Sequence, residues 1–287
     1  MNFDFNEEQT MIMDGIARYI REEYDFDRRR SIIESDSAYS DDVWRQFSEL
    51  GWLSIPFDES YGGFGGHADD LAGVMLELGK GLIIEPYMST VVVFGSLLNA
   101  SNNDSLKEQL IPRIINGQYK GSFAYAEEQS RFEISDVKTS AQKCGDGYKL
   151  NGTKIAVIDA KESDGLIVTA RTGGSQYGAE GISLFLVDTS AEGVAVSSYN
   201  TMDSHSSSTI NLENVFVTEA NLIVHEGEGF RHIESCLPQI LLCLSAEALG
   251  IMEVLNKLTV EYSKTRKQFG APIGSFQALQ HLSLIHI

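Results

Sequence analysis

GYKLNGTKIAVI, residues 147–158, cannot be drawn as an amphipathic helix. Its apolar residues follow no i, i+3, i+4 stripe, and Gly and Asp bound it on either side, as they bound a strand. Within it, Asn151-Gly152 reads as a hairpin turn, because both central residues of a type I′ turn need positive φ. Six further runs share this texture: GSFAYAEE, DVKTSAQK, GLIVTART, GISLFLVDT, GVAVSSY and STINLENVFV. From Lys120 onward, roughly one hundred such residues imply a β-barrel or sandwich domain.

On the N-terminal side the period is helical. Asn6 with Gln9 forms a capping-box pattern, and Ile12, Ile16 and Ile20 then repeat on one face. Ser40 caps a second helix, with Val43, Phe47 and Leu50 as its stripe and Gly51 as its stop. The loop YGGFGG, residues 61–66, precedes a third helix that buries Leu71, Met75 and Leu78. TVVVFGSLLNA and SLKEQLIPRIINGQ supply two more. Trp44 and Trp52 are assigned to the core of this region.

Beyond Gly229 the helical period returns. The fold class is therefore α+β: an N-terminal helical domain (1–118), a middle β-barrel domain (119–223) and the start of a C-terminal helical bundle (224–281). The last six residues, LSLIHI (282–287), resemble translated read-through of a sequencing adapter. The natural chain is expected to continue differently after His281.

At 287 residues with 43% hydrophobic composition, the chain has material for about two domains with real cores. A formal net charge of -19 disfavours nucleic acid and anionic membrane surfaces, so an anionic ligand needs a local cationic site. Three cysteines match neither a CxxC pair nor a disulfide framework, and the first residues carry no basic or apolar leader pattern. A cytoplasmic setting follows from both. The apolar tract from Leu237 to Leu255 is read as a buried helix rather than a membrane span. Each central charge costs ~2.5 to 3.5 kcal/mol in a bilayer, and Glu247 and Glu253 fall inside the tract.

No strand-GxGxxG-helix, P-loop, HExxH or GxSxG pattern occurs, and no metal site is read. YGGFGG is taken as a tight interhelical loop, His205 as a solvated loop histidine, and one of Glu127 and Glu128 as a solvated strand end. TRKQFGAPIGSFQALQH, residues 265–281, is different. Arg266 ends a long helix beside Phe269-Gly270 and Pro272, with Gln277 and Gln280 on the following helical face. By chemistry alone two readings stay open: a charge balancing the helix dipole, or a guanidinium fork for a phosphate with an attached ring.

YSKTRKQFGAPIGSFQALQH, residues 262–281, resembles the helix-turn-helix signature of the acyl-CoA dehydrogenase family. YGGFGG, GDGYKLNGTKIAVIDA, ISLFLVDTSAEGV, NLENVFV and GEGFRHIES are similar to that family's landmarks in the same order, along the whole chain. More narrowly, MNFDFNEEQ, YDFDRRR, LGKGLIIEPY and LIVTART resemble the small-subunit branch of pimeloyl-CoA dehydrogenases, which pairs with a larger homologous subunit. The resemblance implies FAD as cofactor, an acyl-CoA substrate and an electron-transferring flavoprotein as electron acceptor. It places Arg266 on the flavin pyrophosphate of a partner, with Phe269, Gln268 and Gln277 at the same cofactor end.

The resemblance also implies that the catalytic Glu lies beyond this chain, which alone would be inactive. Two departures stand out. Glu127-Glu128-Gln129 occupies the family's Thr-Glu-Pro flavin loop, putting an acid where a hydroxyl would meet flavin. Ala156-Val157-Ile158 replaces Trp-Ile-Thr against the flavin ring. Three accounts follow: the small subunit of a heteromeric dehydrogenase acting on a dicarboxylyl, branched or sterol-side-chain thioester; a self-sufficient homo-oligomer; or a scaffold that keeps the fold without the chemistry.

Overall fold

The computed structural model describes residues 4–35, 37 and 39–284. Part of the adapter-like tail, residues 285–287, lies outside them.

Helix α1 (Glu7–Glu23) starts at the expected capping box: Asn6 Oδ1 accepts from Gln9 N at 2.8 Å and Gln9 Oε1 from Asn6 N at 2.9 Å. The Gln9 amide also donates to Asp69 and Asp70, tying α1 to the start of α4 (Ala68–Lys80). Ile16 is buried, while Ile12 and Ile20 pack half-buried beside it. Helix α2 (Phe26–Ile33), capped by Asp25, was not anticipated, since three consecutive arginines mask its short apolar face. Helix α3 (Asp41–Glu49) buries Val43, Trp44 and Phe47. Leu50, expected on that stripe, is 52% exposed because it is already the C-cap where Gly51 turns the chain. YGGFGG is the tight loop expected, with Gly65 N donating to Phe57 O and Gly66 N to Ile55 O, both at 2.8 Å. Helices α5 (Met88–Asn99) and α6 (Asp104–Ile115) complete the N-terminal layer.

Seven of the strands form one curled sheet, β1 (Gly121–Ala124), β2 (Ser140–Cys144), β3 (Gly147–Ile158), β4 (Gly165–Arg171), β5 (Ile182–Asp188), β6 (Val194–Asn200) and β7 (Ser206–Thr218). Its order is β1-β4-β2-β3-β7-β6, with β5 added against β4. Ile155 N donates to Ala126 O at 2.9 Å, so the chain leaving β1 closes back onto β3. The hairpin turn is not at Asn151-Gly152. The β2–β3 turn is Gly145-Asp146, and β3 runs straight through Asn151, which pairs with Ser140. Gly152 serves close approach instead: a Cβ there would lie 2.4 Å from Thr139 Oγ1. Asn151 Oδ1 accepts from Asn214 N at 2.8 Å, holding the adjacent bulge against β7.

Helix α7 (Gly229–Thr265) lies across α4. A Cβ on Gly250 would stand 2.0 Å from Leu76 O, and one on Gly79 would stand 2.3 Å from Glu247 O. The two backbones are therefore in direct contact. The expectation of a buried helix holds for one stripe only, with Ile233, Cys236 and Cys243 inside the core. Leu241, Leu249, Leu255 and Leu258 are 53%, 48%, 57% and 60% exposed, because α4 and the sheet cover a single side of a helix that is apolar all round.

Candidate functional site

Two cavities with shared lining residues, an outer and an inner one, open between α5, the sheet and α7. The outer one, about 290 Å³, is apolar: Val93 and Leu97 of α5, Phe123 and Tyr125 at the end of β1, and Ile233 and Leu237 of α7 wall it. The Phe123 and Tyr125 rings stack at 5.2 Å. From β3, Ala156 and Ile158 face this space. They do so because β3 slips register against β7 between Lys154 and Val157, with Ala156 in the left-handed region at φ 52°. No carboxylate lines this outer chamber among the described residues.

The inner cavity, about 220 Å³, shares Met88, Ile158 and Leu244 with the first and carries acids among its lining residues. Glu85, Asp159 and Glu247 line it, with Asp203 and His205. Glu85 is 3% exposed and its Oε2 has no hydrogen-bond partner. Asp159 accepts from Ser89 Oγ at 2.6 Å. Burial pushes the Glu85 and Asp159 carboxyls up to about 7, and raises Glu247 above the usual range. His205 is half-buried against the cavity rather than solvated, and burial lowers it. A raised carboxyl favours the fold while protonated. The stability these two acids contribute is present below about pH 4 and fades as pH rises through about 7. Glu85→Gln should therefore flatten the fall in urea midpoint between about pH 5 and 8. Parallel slopes for variant and parent would remove Glu85 from the groups responsible.

Of the two acids after β1, Glu128 is exposed as read for one of them, whereas Glu127 is neither solvated nor facing the apolar chamber. Glu127 turns into the sheet and is 3% exposed. It accepts from Lys154 Nζ at 2.7 Å, Gln129 Nε2 at 2.9 Å, Lys138 N at 2.8 Å and Thr139 N at 3.0 Å. Lys154 Nζ also donates to Thr169 Oγ1 at 2.7 Å, so the pair links β3 and β4 to the segment after β1. Burial alone would raise the Glu127 carboxyl, but the Lys154 ammonium and the other donors outweigh it and hold it near about 2.

The residues assigned to a phosphate end gather at the far end of α7. Arg266 is its C-cap, followed by a two-residue hairpin pairing Lys267–Gln268 with Ala271–Pro272. Phe269 and Gly270 at its tip have φ of 52° and 81°. Phe269 is 95% exposed and meets Phe276 edge-on at 6.4 Å. Gln268 is exposed on the strand and Gln277 opens α8 (Gln277–Leu284), also exposed. Among the described residues no ion pair or hydrogen bond engages the Arg266 guanidinium, although its backbone accepts from Ile273 N. At about 1.5 Å per residue, α7 carries Thr265 some 32 Å past Leu244 of the cavities. Sequence reasoning missed Glu85, Ser89 and Asp159, because in so acidic a chain their burial leaves no local mark.

Comparison with known proteins gives one answer along the whole length. Residues 6–118, 122–215 and 227–284 match the N-terminal, middle and C-terminal domains of acyl-CoA dehydrogenase. A probable acyl-CoA dehydrogenase, YngJ of Bacillus subtilis, is 31% identical over 285 residues, covering 98% of this chain and 74% of that protein. Among solved structures, a chain of the ChsE4–ChsE5 complex from Mycobacterium tuberculosis superposes with a TM-score of 0.88 at 26% identity, covering all of this chain and 75% of its own. PigA in its FAD complex does so with a TM-score of 0.89 at 26% identity, covering 98% and 74%. With its helical layer, curled sheet and crossing helix matched in order, the chain belongs to the acyl-CoA dehydrogenase family.

Proposed function

We propose that this chain is a subunit of an FAD-dependent acyl-CoA dehydrogenase, desaturating an acyl thioester between its α and β carbons and passing electrons to an electron-transferring flavoprotein. The acyl chain occupies the two cavities. The ring system of the cofactor fits the apolar wall of Tyr125 and Ala156, where small side chains and a bulged strand leave room beside α7. When bound, FAD supplies the hydride acceptor. Among the described residues no carboxylate lines the outer chamber, so this reading draws the base for the α proton from outside that chamber.

The observation that carries the shared arrangement is the separation of the two ends. A guanidinium about 27 Å along α7 beyond Glu247, the last cavity-lining residue on that helix, and beside an exposed phenylalanine, is too far to serve the same cofactor. It fits the pyrophosphate and adenosine end of one seated in a neighbouring subunit. Gln268 and Gln277 add neutral donors there. The neighbour is a larger homologous subunit, and the likeness to a chain of the ChsE4–ChsE5 complex supports such pairing. A homo-oligomer is the second reading. The inward turn of Glu127 favours it, since the wall facing the cavity then carries no acid to oppose a reduced flavin.

Arg266→Ala should weaken FAD retention by ~1.5 to 3 kcal/mol, the worth of a charge-assisted hydrogen bond. Titrating FAD into the apo complex reads this directly, and unchanged affinity would remove Arg266 from the site. A visible flavin band in the full-length protein purified alone would favour the homo-oligomer. A band seen only after co-expression with a larger homologue would favour the heteromer.

A further inference from the structure

The inner cavity is more than spare volume at the end of an apolar slot. A chamber meant for a plain hydrocarbon tail would be lined like the outer one, because a buried carboxylate without a partner costs stability. Here Glu85 is nine-tenths buried with one oxygen unpartnered, and that side chain lines the cavity. Asp159, 7% exposed, lines the same space and has a single side-chain donor, Ser89. Glu247 reaches it from α7, with Asp203 and His205 on the loop before β7. Neither Lys nor Arg lines the cavity, and no metal-ligating cluster occurs among the described residues.

We propose that this inner chamber selects the far end of the substrate's acyl chain, accepting a thioester whose tail ends in a protonated amine and rejecting one that ends in a carboxylate. The inference rests on the acyl-CoA assignment of the cavities. An ammonium at the tail donates to the open Glu85 oxygen and to Asp159, completing acceptors the chain leaves unused. Ser89 holds Asp159 in place at the junction with the apolar chamber. A carboxylate tail would face the acids of this lining, with no Lys or Arg side chain among them and the Arg29 guanidinium committed to the Leu82 and Asp203 carbonyls, which sets this pocket against dicarboxylyl thioesters. A methyl tail would leave Glu85 Oε2 buried without a donor, while Oε1 keeps Ser40 N at 3.4 Å.

The test is calorimetric binding of three six-carbon thioesters to the full-length protein with its cofactor and any partner subunit: hexanoyl-CoA, adipoyl-CoA and ε-aminocaproyl-CoA. The amine-tailed thioester should bind at least about tenfold tighter than hexanoyl-CoA, with adipoyl-CoA the weakest. Combining Glu85→Gln with Asp159→Asn should collapse that ranking. Equal binding of all three, or a ranking that survives the double substitution, overturns tail selection and leaves the acyl-CoA assignment standing. Failure of all three to bind overturns both.

Discussion

Glu127→Ala should lower stability by about 3 to 5 kcal/mol, because it leaves the Lys154 ammonium charged and enclosed with its main partner gone. Lys154 is fully buried, and its remaining acceptors are Thr169 Oγ1 and the Tyr125 carbonyl. The loss extends beyond the pair. Glu127 also takes the backbone N–H groups of Lys138 and Thr139, so its removal frees the strand entering β2. Urea denaturation followed by far-UV circular dichroism measures the cost. The double substitution Glu127→Gln, Lys154→Met should recover most of it, since no buried charge then remains. A loss below about 1 kcal/mol in Glu127→Ala would show that water reaches Lys154. The pH dependence has a definite sign. A carboxyl held near about 2 when folded, against an ordinary value near 4.5, contributes stability that is present above about pH 4.5 and lost as pH falls toward 2.

Gly250→Val should be nearly as damaging. Helix propensity alone makes a glycine in mid-helix worse than alanine by about 1 kcal/mol, so on that ground Gly250→Ala would stabilise α7. The crossing reverses the sign. A Cβ at Gly250 falls 2.0 Å from Leu76 O, and that oxygen belongs to the backbone of α4 and cannot rotate away. The helices must separate, for a loss of about 1 to 3 kcal/mol with alanine and the upper end or beyond with valine. Thermal unfolding of the two variants distinguishes the effects. A rise in melting temperature for Gly250→Ala would mean that the crossing yields.

Much of the architecture was legible because it rests on local signals. The Asn6–Gln9 box, the Ser40 cap and the seven strand-like runs all lie where a short window of sequence puts them. Asn151-Gly152 misled for a physical reason: a glycine that admits positive φ also admits close approach, and Thr139, not a turn, made the demand. The site was harder to read. Glu127 and Lys154 are far enough apart in sequence that nothing local couples them, and an acid after a strand usually ends in solvent. Glu85 and Asp159 became informative only once α5 and β3 enclosed them. By contrast Arg266, Gln268, Phe269 and Gln277, proposed for the cofactor's phosphate end, lie together on one hairpin and one helix start, as their closeness in sequence already suggests.

The glycine crossing gives α7 a fulcrum. Beyond Gly250 the helix runs about 22 Å to Thr265, and Arg266 rides on its tip. On a lever of that length, a tilt of about 5° at the fulcrum swings the guanidinium by about 2 Å, enough to break a hydrogen bond to a phosphate. Side chains between α4 and α7 would let the lever rock. Two main chains pressed together at Gly79 and Gly250 fix its aim, so, in the proposed cross-subunit arrangement, small residues deep in one subunit would set how accurately a cation is presented to the next.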